Sequence, residues 1–333
     1  MRQPPDRQGR VSQIATASPV AGPSPRRIAF SGDAVFAAAA VTAGVFVLVL
    51  VGAIIVSLLI GALPSLRAFG LGFIANTDWD PVQQVYGAAV PIYGTVVTSV
   101  LALLMAVPLA FGVAFYLTEL APSWMRRPIG TAVELLAAVP SIIYGMWGFF
   151  VIVPFMATYV EPHIIDTLDG VPVLENLFAG PPFGTGLFTA SLILAVMVLP
   201  FIAATMRDVF MTVPPVYKES AYGLGCTTWE VMRSIVLPYT RTSVVGGIML
   251  GLGRALGETM AVTFVIGNTN RITGNLFGSG NTIASLVALE FGESENGSLK
   301  LSSLLALGFI LFVISFVVLA FSRLLLRPRG VRA

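Results

Sequence analysis

The amino-acid sequence predicts an all-α membrane protein with six transmembrane helices. Of its 333 residues, 56% are hydrophobic and only 11% are charged, whereas charged residues make up about 25% of a typical soluble domain. A helix needs about 20 mainly apolar residues to cross the hydrocarbon core of a bilayer. Six runs of the sequence meet this requirement: residues 34–63, 90–117, 132–156, 185–206, 242–266 and 301–322.

The first 33 residues differ in composition from the rest of the chain. They are rich in Pro, Ser, Gln and Arg and contain few large apolar side chains, so they cannot offset the entropy of ordering. We expect residues 1–33 to form a disordered basic tail. The next run, residues 34–63, is far longer than the apolar core of a signal peptide, which is about 7–15 residues. It is therefore predicted to remain as the first transmembrane helix.

Segments rich in Lys and Arg alternate along the chain with loops that contain few of these residues. The N-terminal tail, the second and fourth loops and the C-terminal tail hold most of the 19 basic residues, while only Arg67, Arg271 and Lys300 fall in the other three loops. Short loops rich in Lys and Arg stay in the cytoplasm. The sequence therefore predicts that both termini are cytoplasmic. Arg254 is the one basic residue within a spanning run.

The composition also excludes several classes of function. The single Cys226 and single His163 exclude disulfide frameworks, redox pairs and His/Cys metal clusters, because each requires at least two such residues. Neither of the two lysines, Lys218 and Lys300, completes a GxxxxGK[ST] phosphate loop. We therefore expect no metal, no cofactor and no ATP hydrolysis by this chain itself. A membrane-bound enzyme would need a nucleophile with a nearby base, and His163 has no obvious serine partner.

The loop between the fourth and fifth runs, residues 219–238, has a distinctive spacing. Its pattern is E-S-A-x3-G-x9-I-x-L-P. This resembles the EAA loop of ABC importer permeases, E-A-A-x3-G-x9-I-x-L-P, except for Ser220. We call residues 219–238 the coupling loop.

The local sequence of the coupling loop predicts two short helices joined by a turn. Residues 218–224 are expected to form the first helix, Gly225 to end it, and Thr227 to cap the next. A separate ATPase could bind this helix-turn-helix and move the membrane helices with it. Alternatively, the loop is an ordinary connection whose Gly and Pro serve only turn geometry. The candidate ATPase contacts are Glu219, Ala221, Gly225 and Glu230.

Arg254 lies twelve residues from either end of the fifth run, which predicts a position near the bilayer midplane. Burying an arginine there costs about 2.5–3.5 kcal/mol on insertion scales, so such residues are usually functional. Glu258 follows at i+4, and on a continuous helix both charges share one face and can pair. The alternatives are a structural ion pair that fixes helix packing and a substrate pathway, in which the planar guanidinium binds oxyanion oxygens. Two pairs of glycines four residues apart, Gly247 with Gly251 and Gly253 with Gly257, lie near these charges and favour close helix packing.

The third run adds a weaker candidate. Ser141, Tyr144 and Trp147 recur every three residues after Pro140, which can bend the helix. Either Ser141 lines the substrate pathway, or Tyr144 and Trp147 serve only to pack this helix against others of the bundle.

Two longer segments carry a closer resemblance. Residues 251–268, GLGRALGETMAVTFVIGN, and residues 137–148, AAVPSIIYGMWG, are similar to the PstC family of permeases from phosphate-specific ABC importers. The resemblance covers residues 85–325, and implies the type I ABC importer permease fold over that domain and a place in the bacterial inner membrane. It implies a pathway role for Arg254, Glu258 and the adjacent Thr259.

The same resemblance implies the partners. These are a second permease similar to PstA, a cytoplasmic ATPase dimer similar to PstB, an external phosphate-binding protein similar to PstS, phosphate itself and membrane lipid, with no nucleic acid. The predicted function is import of inorganic phosphate driven by a partner ATPase. The alternatives are a permease for sulfate or molybdate, and a secondary anion carrier, which would show inverted repeats.

Overall fold

A computed structural model describes residues 32–168, 170–178, 180–272 and 274–325. Most of the predicted tail, residues 1–31, lies outside the described residues. The chain divides into two units, residues 1–52 and residues 53–333. The described part of the first unit is one helical segment whose apolar side chains, including Phe36 and Leu48, are exposed, as expected for a helix surrounded by lipid.

Six helices are long and apolar enough to cross a membrane, which confirms the predicted number. We call them the first to sixth spans: Gly32–Phe69, Ala89–Leu120, Ser141–Leu168, Leu187–Met211, Thr228–Leu256 and Leu299–Leu325. Within the described ranges there are no strands beyond one isolated antiparallel bridge between Asp80 and Val85. The other helices are short and lie in the connections: Gly72–Ala75, Ser123–Ala137, Pro172–Phe178, Pro215–Gly223, Met260–Thr263, Ile283–Glu290 and the 3₁₀ turn Phe291–Glu293.

The third span begins later than the sequence predicts. Residues 132–137 belong to a separate helix, Ser123–Ala137, and the span starts at Ser141 after Pro140. Proline lacks a backbone N–H and disfavours helical geometry in the residue before it. The apolar run 132–156 therefore contains a helix boundary that hydropathy alone does not mark. The span continues through two π-helical turns to Leu168.

The fifth span is displaced in the opposite direction. It starts at Thr228, inside the coupling loop, and ends at Leu256, ten residues before the end of the predicted run. After Gly257 the chain leaves the helix and forms only one further turn, Met260–Thr263. Arg254 therefore lies in the last turn of the span, and the prediction that it lies at the centre of a continuous helix is wrong.

The fourth span is the centre of the bundle. Most of its side chains are buried, and it packs against the second and fifth spans. Gly247 and Gly251 make the close approach of the fifth span possible, because a Cβ at either position would lie 2.8 Å from Thr205 or Ile202 of the fourth span. This agrees with small-residue packing of membrane helices. Gly253 faces open space instead.

Candidate coupling loop and substrate pathway

The first half of the coupling loop is an exposed helix that ends in a left-handed glycine. The helix spans Pro215–Gly223, and Gly225 has a φ of +89°. Residues other than glycine or asparagine rarely adopt this left-handed backbone conformation at a helix end. Glu219 is exposed on this helix. The predicted helix and its end are confirmed.

The second half of the coupling loop starts the fifth span through a capping box. The Thr227 hydroxyl accepts from the Glu230 N–H at 3.3 Å, and the Glu230 carboxylate accepts from the Thr227 N–H at 2.7 Å. Thr227 is thus the predicted N-cap. Glu230 is exposed but its carboxylate is engaged in this cap, so it also has a structural role.

Ala221 differs from the other candidate contacts. Its side chain is only 6% exposed and belongs to the hydrophobic core, and its carbonyl accepts from the Cys226 N–H at 3.1 Å. As a surface contact it is therefore poorly placed. Its small side chain lets the helix Pro215–Gly223, which we call the coupling helix, lie close to the bundle.

An ion pair fastens the coupling helix to the end of the second span. Lys218 Nζ lies 2.6 Å from Glu119 Oε1, and the two side chains are 18% and 7% exposed. Such a pair is costly to break on one side, because the remaining charge is left buried. The ion pair therefore holds the coupling helix against the end of the second span.

Aromatic contacts fasten the other half of the loop to the same span. The Trp229 ring lies edge-on to Phe111 and Phe115, with centroid distances of 6.4 and 5.9 Å. Edge-to-face pairs at these distances are favourable beyond their buried area. Both helices of the coupling loop are therefore attached to the second span, on either side of Gly225.

A cleft of about 760 Å³ opens beside the coupling helix. Its lining includes Glu219 and Tyr222 from this helix and Arg126 and Arg127 from the helix Ser123–Ala137. The cleft is therefore lined by both acidic and basic side chains.

Arg254 is half-buried and has no anionic partner in the part of the chain that the structure describes. Its guanidinium carbon lies 5.8 Å from the ring centroid of Phe201 on the fourth span, a cation–π distance. Within the described ranges, no hydrogen bond or ion pair engages its guanidinium. Its N–H donors are therefore free to bind a ligand.

The predicted pairing of Arg254 with Glu258 is wrong. The helix ends between them, and Glu258 Oε1 instead accepts from the Ala261 N–H at 3.2 Å. The carboxylate thus caps the short turn Met260–Thr263. Local side-chain to backbone bonding of this kind competes with helix continuation. A structural ion pair between these two residues is therefore excluded as the role of this half-buried arginine.

Thr259 and Ser141 lie at the starts of two helices that pack against each other. Thr259 precedes Met260–Thr263, and Gly145, one turn after Ser141, packs against Ala261, where an added Cβ would lie 2.9 Å from the Ala261 Cα. Both side chains are half-buried.

Comparison with known proteins identifies the family. The model of the family described as binding-protein-dependent transport system inner membrane component matches residues 106–329. A phosphate transport system permease protein PstC from Pasteurella multocida is 58% identical, over 85% of this chain and 88% of the relative. The chain belongs to the PstC family. A second PstC, from Mesorhizobium japonicum, is 56% identical over 90% of this chain and 91% of the relative.

A solved structure supports the fold. The crystal structure of a bacterial alginate ABC transporter, in complex with an alginate-pentasaccharide-bound periplasmic protein, aligns with a TM-score of 0.58 and 17% identity, over 89% of this chain and 94% of that one. At this identity the likeness concerns the fold alone. This PstC-family chain thus has an ABC importer permease fold and is a multi-pass inner-membrane protein.

Sequence reasoning missed the ion pair that holds the coupling loop of this PstC-family chain. Lys218 is one of two lysines, and Glu119 is an acid at the end of the second span, on the side predicted to face the coupling loop. This charge complementarity was a usable signal. The contact of Phe201 with Arg254 had no such signal, because it depends on how the fourth and fifth spans pack.

Proposed function

We propose that this chain is a permease subunit of an ATP-driven importer that moves inorganic phosphate across the inner membrane. The observation that carries the proposal is the coupling loop, which is exposed at Glu219 and fastened to the second span through Lys218. The loop suits a partner that supplies mechanical work to a chain whose sequence has no phosphate loop. Close similarity to relatives named for phosphate transport supports the substrate.

In this proposal the coupling loop and both termini face the cytoplasm, as the distribution of Lys and Arg indicates. Residues 85–325 form the transport domain, residues 34–63 an additional anchor and residues 1–33 a cytoplasmic tail. An ATPase dimer similar to PstB binds Glu219 and the exposed turn at Gly225. A second permease similar to PstA completes the pathway, and a phosphate-binding protein similar to PstS delivers substrate from outside.

Arg254 is the proposed phosphate ligand within the pathway. Its guanidinium offers several donors in a planar fork that matches two oxygens of one phosphate. Glu258, Thr259 and Ser141 are proposed to line the same route. One arginine does not neutralise a phosphate dianion, so we expect the second permease to supply further donors. Incomplete neutralisation also favours release.

Energy coupling is required by electrostatics. Moving one charge against 100 mV costs about 2.3 kcal/mol, so a dianion entering a negative cell costs about 4.6 kcal/mol before any concentration gradient. ATP hydrolysis by a partner meets this cost, whereas an uncoupled pathway does not.

The proposal is tested by purifying the chain with its partners and measuring phosphate uptake into liposomes. Uptake should require internal ATP and the external binding protein, and phosphate should stimulate ATP hydrolysis. Uptake that persists without ATP but follows an ion gradient would indicate a secondary carrier. Equal uptake of sulfate or molybdate would overturn the assignment to phosphate.

A further inference from the structure

We propose that a cleft beside Arg271, on the face proposed to be external, receives phosphate before it passes to Arg254. This inference rests on the proposed function and adds a second anion site to it. The cleft has a volume of about 720 Å³, enough for a hydrated ion. Its lining comprises Gly180, Pro181, Phe183, Thr269, Asn270, Arg271, Asn275, Phe277, Gly278 and Ser279.

The polar lining of this cleft offers several hydrogen-bond donors. Asn275 Oδ1 accepts from the Phe277 N–H at 2.8 Å, and Asn270 Oδ1 accepts from Asn281 Nδ2 at 2.9 Å. Because both amide oxygens are engaged internally, the NH₂ groups of Asn270 and Asn275 remain as donors. The hydroxyls of Thr269 and Ser279 add two groups that can donate.

The amide orientation of Asn270 is fixed by its neighbours. Asn281 is only 2% exposed, and its Oδ1 accepts from the Ser285 hydroxyl at 2.5 Å. This bond leaves the Asn281 NH₂ to face Asn270. The orientation of the Asn270 amide therefore follows from a chain of hydrogen bonds that ends at buried residues.

Arg271 supplies the charge. It is exposed, and no ion pair engages it among the residues that the structure describes. Lys300, by contrast, is 3.3 Å from Glu290. No carboxylate is among the described residues that line the 720 Å³ cleft. Within this cleft the charge of Arg271 lies beside neutral donors, a combination that favours an oxyanion.

The acids near Arg271 line a different cleft. Asp78 and Asp80 line a separate cleft of about 300 Å³ that shares Asn270 and Arg271 with the larger one. Asp80 Oδ1 already accepts from the Val82 and Gln83 N–H groups at 2.8 and 3.1 Å. These carboxylates repel phosphate from the smaller cleft, so the larger cleft is the favoured side.

A buried carboxyl group supports the wall of the larger cleft. Glu161 is fully buried, and its Oε2 accepts from the Gly184 N–H at 2.9 Å. This bond holds the segment that carries Gly180, Pro181 and Phe183. The segment follows the third and precedes the fourth span, so the cleft is built between fixed elements.

The test uses the complete importer in liposomes, with phosphate-loaded binding protein outside and ATP inside. The variants are Arg271→Ala, Arg271→Lys and Asn275→Asp, which keeps the acceptor for Phe277 but replaces a donor by a negative charge. Arg67→Ala is the matched control, since it removes one positive charge from the same proposed face without touching the cleft. Initial rates of radiolabelled phosphate uptake at limiting substrate are measured beside the affinity of the binding protein for the complex.

Arg271→Ala and Asn275→Asp should each lower uptake about tenfold, as expected for a lost charge-assisted hydrogen bond. Arg271→Lys should lose less, and Arg67→Ala should match the wild type. The affinity for the binding protein should not change in any variant. A variant that fails to assemble is replaced by the other cleft variants, which carry the same prediction.

Two results would overturn the cleft proposal. If uptake and binding-protein affinity fall together in Arg271→Ala, Arg271 contacts carboxylates of the binding protein instead of phosphate. If Arg271→Ala takes up phosphate at the rate of Arg67→Ala, the cleft has no role. A wild-type importer that takes up no phosphate would instead overturn the proposed function, which separates the two failures.

Discussion

Lys218→Ala should uncouple ATP hydrolysis from phosphate uptake while leaving the six spans in place. In the native chain Lys218 Nζ lies 2.6 Å from Glu119 Oε1, and Glu119 is 7% exposed. The substitution leaves this carboxylate buried without its partner. The coupling helix then loses its ion pair to the second span, although the Trp229 contacts of the other half remain.

The size of the effect follows from burial. Removing one partner of a buried ion pair costs about 3–5 kcal/mol. Because the Lys218 side chain is 18% exposed and so only partly desolvated, we take the lower end of this range. A cost of about 3 kcal/mol shifts the equilibrium between the docked and undocked coupling helix by roughly 100-fold.

The assay is the number of phosphate ions taken up per ATP hydrolysed by the reconstituted importer. Lys218→Ala should lower this ratio severely. The double variant Lys218→Glu with Glu119→Lys should restore much of it, because the pair is rebuilt with reversed charges. Glu134→Ala is the control: its pair with Arg207 is 2.5 Å long, but Glu134 is 53% exposed and Arg207 keeps Asp208 at 2.8 Å. Exposed pairs contribute about 0–1 kcal/mol, so the control should retain normal coupling.

Two outcomes would refute this reasoning. A wild-type ratio in Lys218→Ala, at normal complex yield, would show that the coupling loop transmits motion through other contacts. A double variant no better than either single one would show that the charge pair itself is not what holds the helix.

Three further predictions concern other parts of the chain. Arg254→Ala should abolish phosphate uptake while the complex still assembles, and Arg254→Lys should restore little uptake. Glu258→Gln should lower turnover more than complex yield. Near-normal uptake in Arg254→Ala would contradict a pathway role for Arg254. Gly225→Val should stop transport at normal membrane insertion, because φ is +89° there and a left-handed residue costs about 1–2 kcal/mol, whereas Gly225→Asn should be tolerated; equal activity of both would contradict the turn's importance. Glu161→Ala should destabilise the chain by about 1–3 kcal/mol by leaving the Gly184 N–H unsatisfied, while Glu161→Gln keeps an acceptor and should not; thermal unfolding in detergent distinguishes them.

The sequence by itself determined the number of spans and the local form of the coupling loop. Runs of about 20 apolar residues are sufficient to identify spans, because lipid accepts no other composition over that length. The turn at Gly225 and the cap at Thr227 depend on residues within a few positions of one another. Interactions of such short range can be read from a single sequence.

Only the tertiary structure decided where the third and fifth spans begin and end, and which charges meet. Hydropathy does not distinguish an apolar helix from an apolar break, so the end of the helix before Glu258 was hidden within a uniform run. The Lys218–Glu119 pair joins residues 99 positions apart, and the Arg271 cleft is built from two separate segments. Such sites depend on how the spans pack, and no local pattern of residues records that packing.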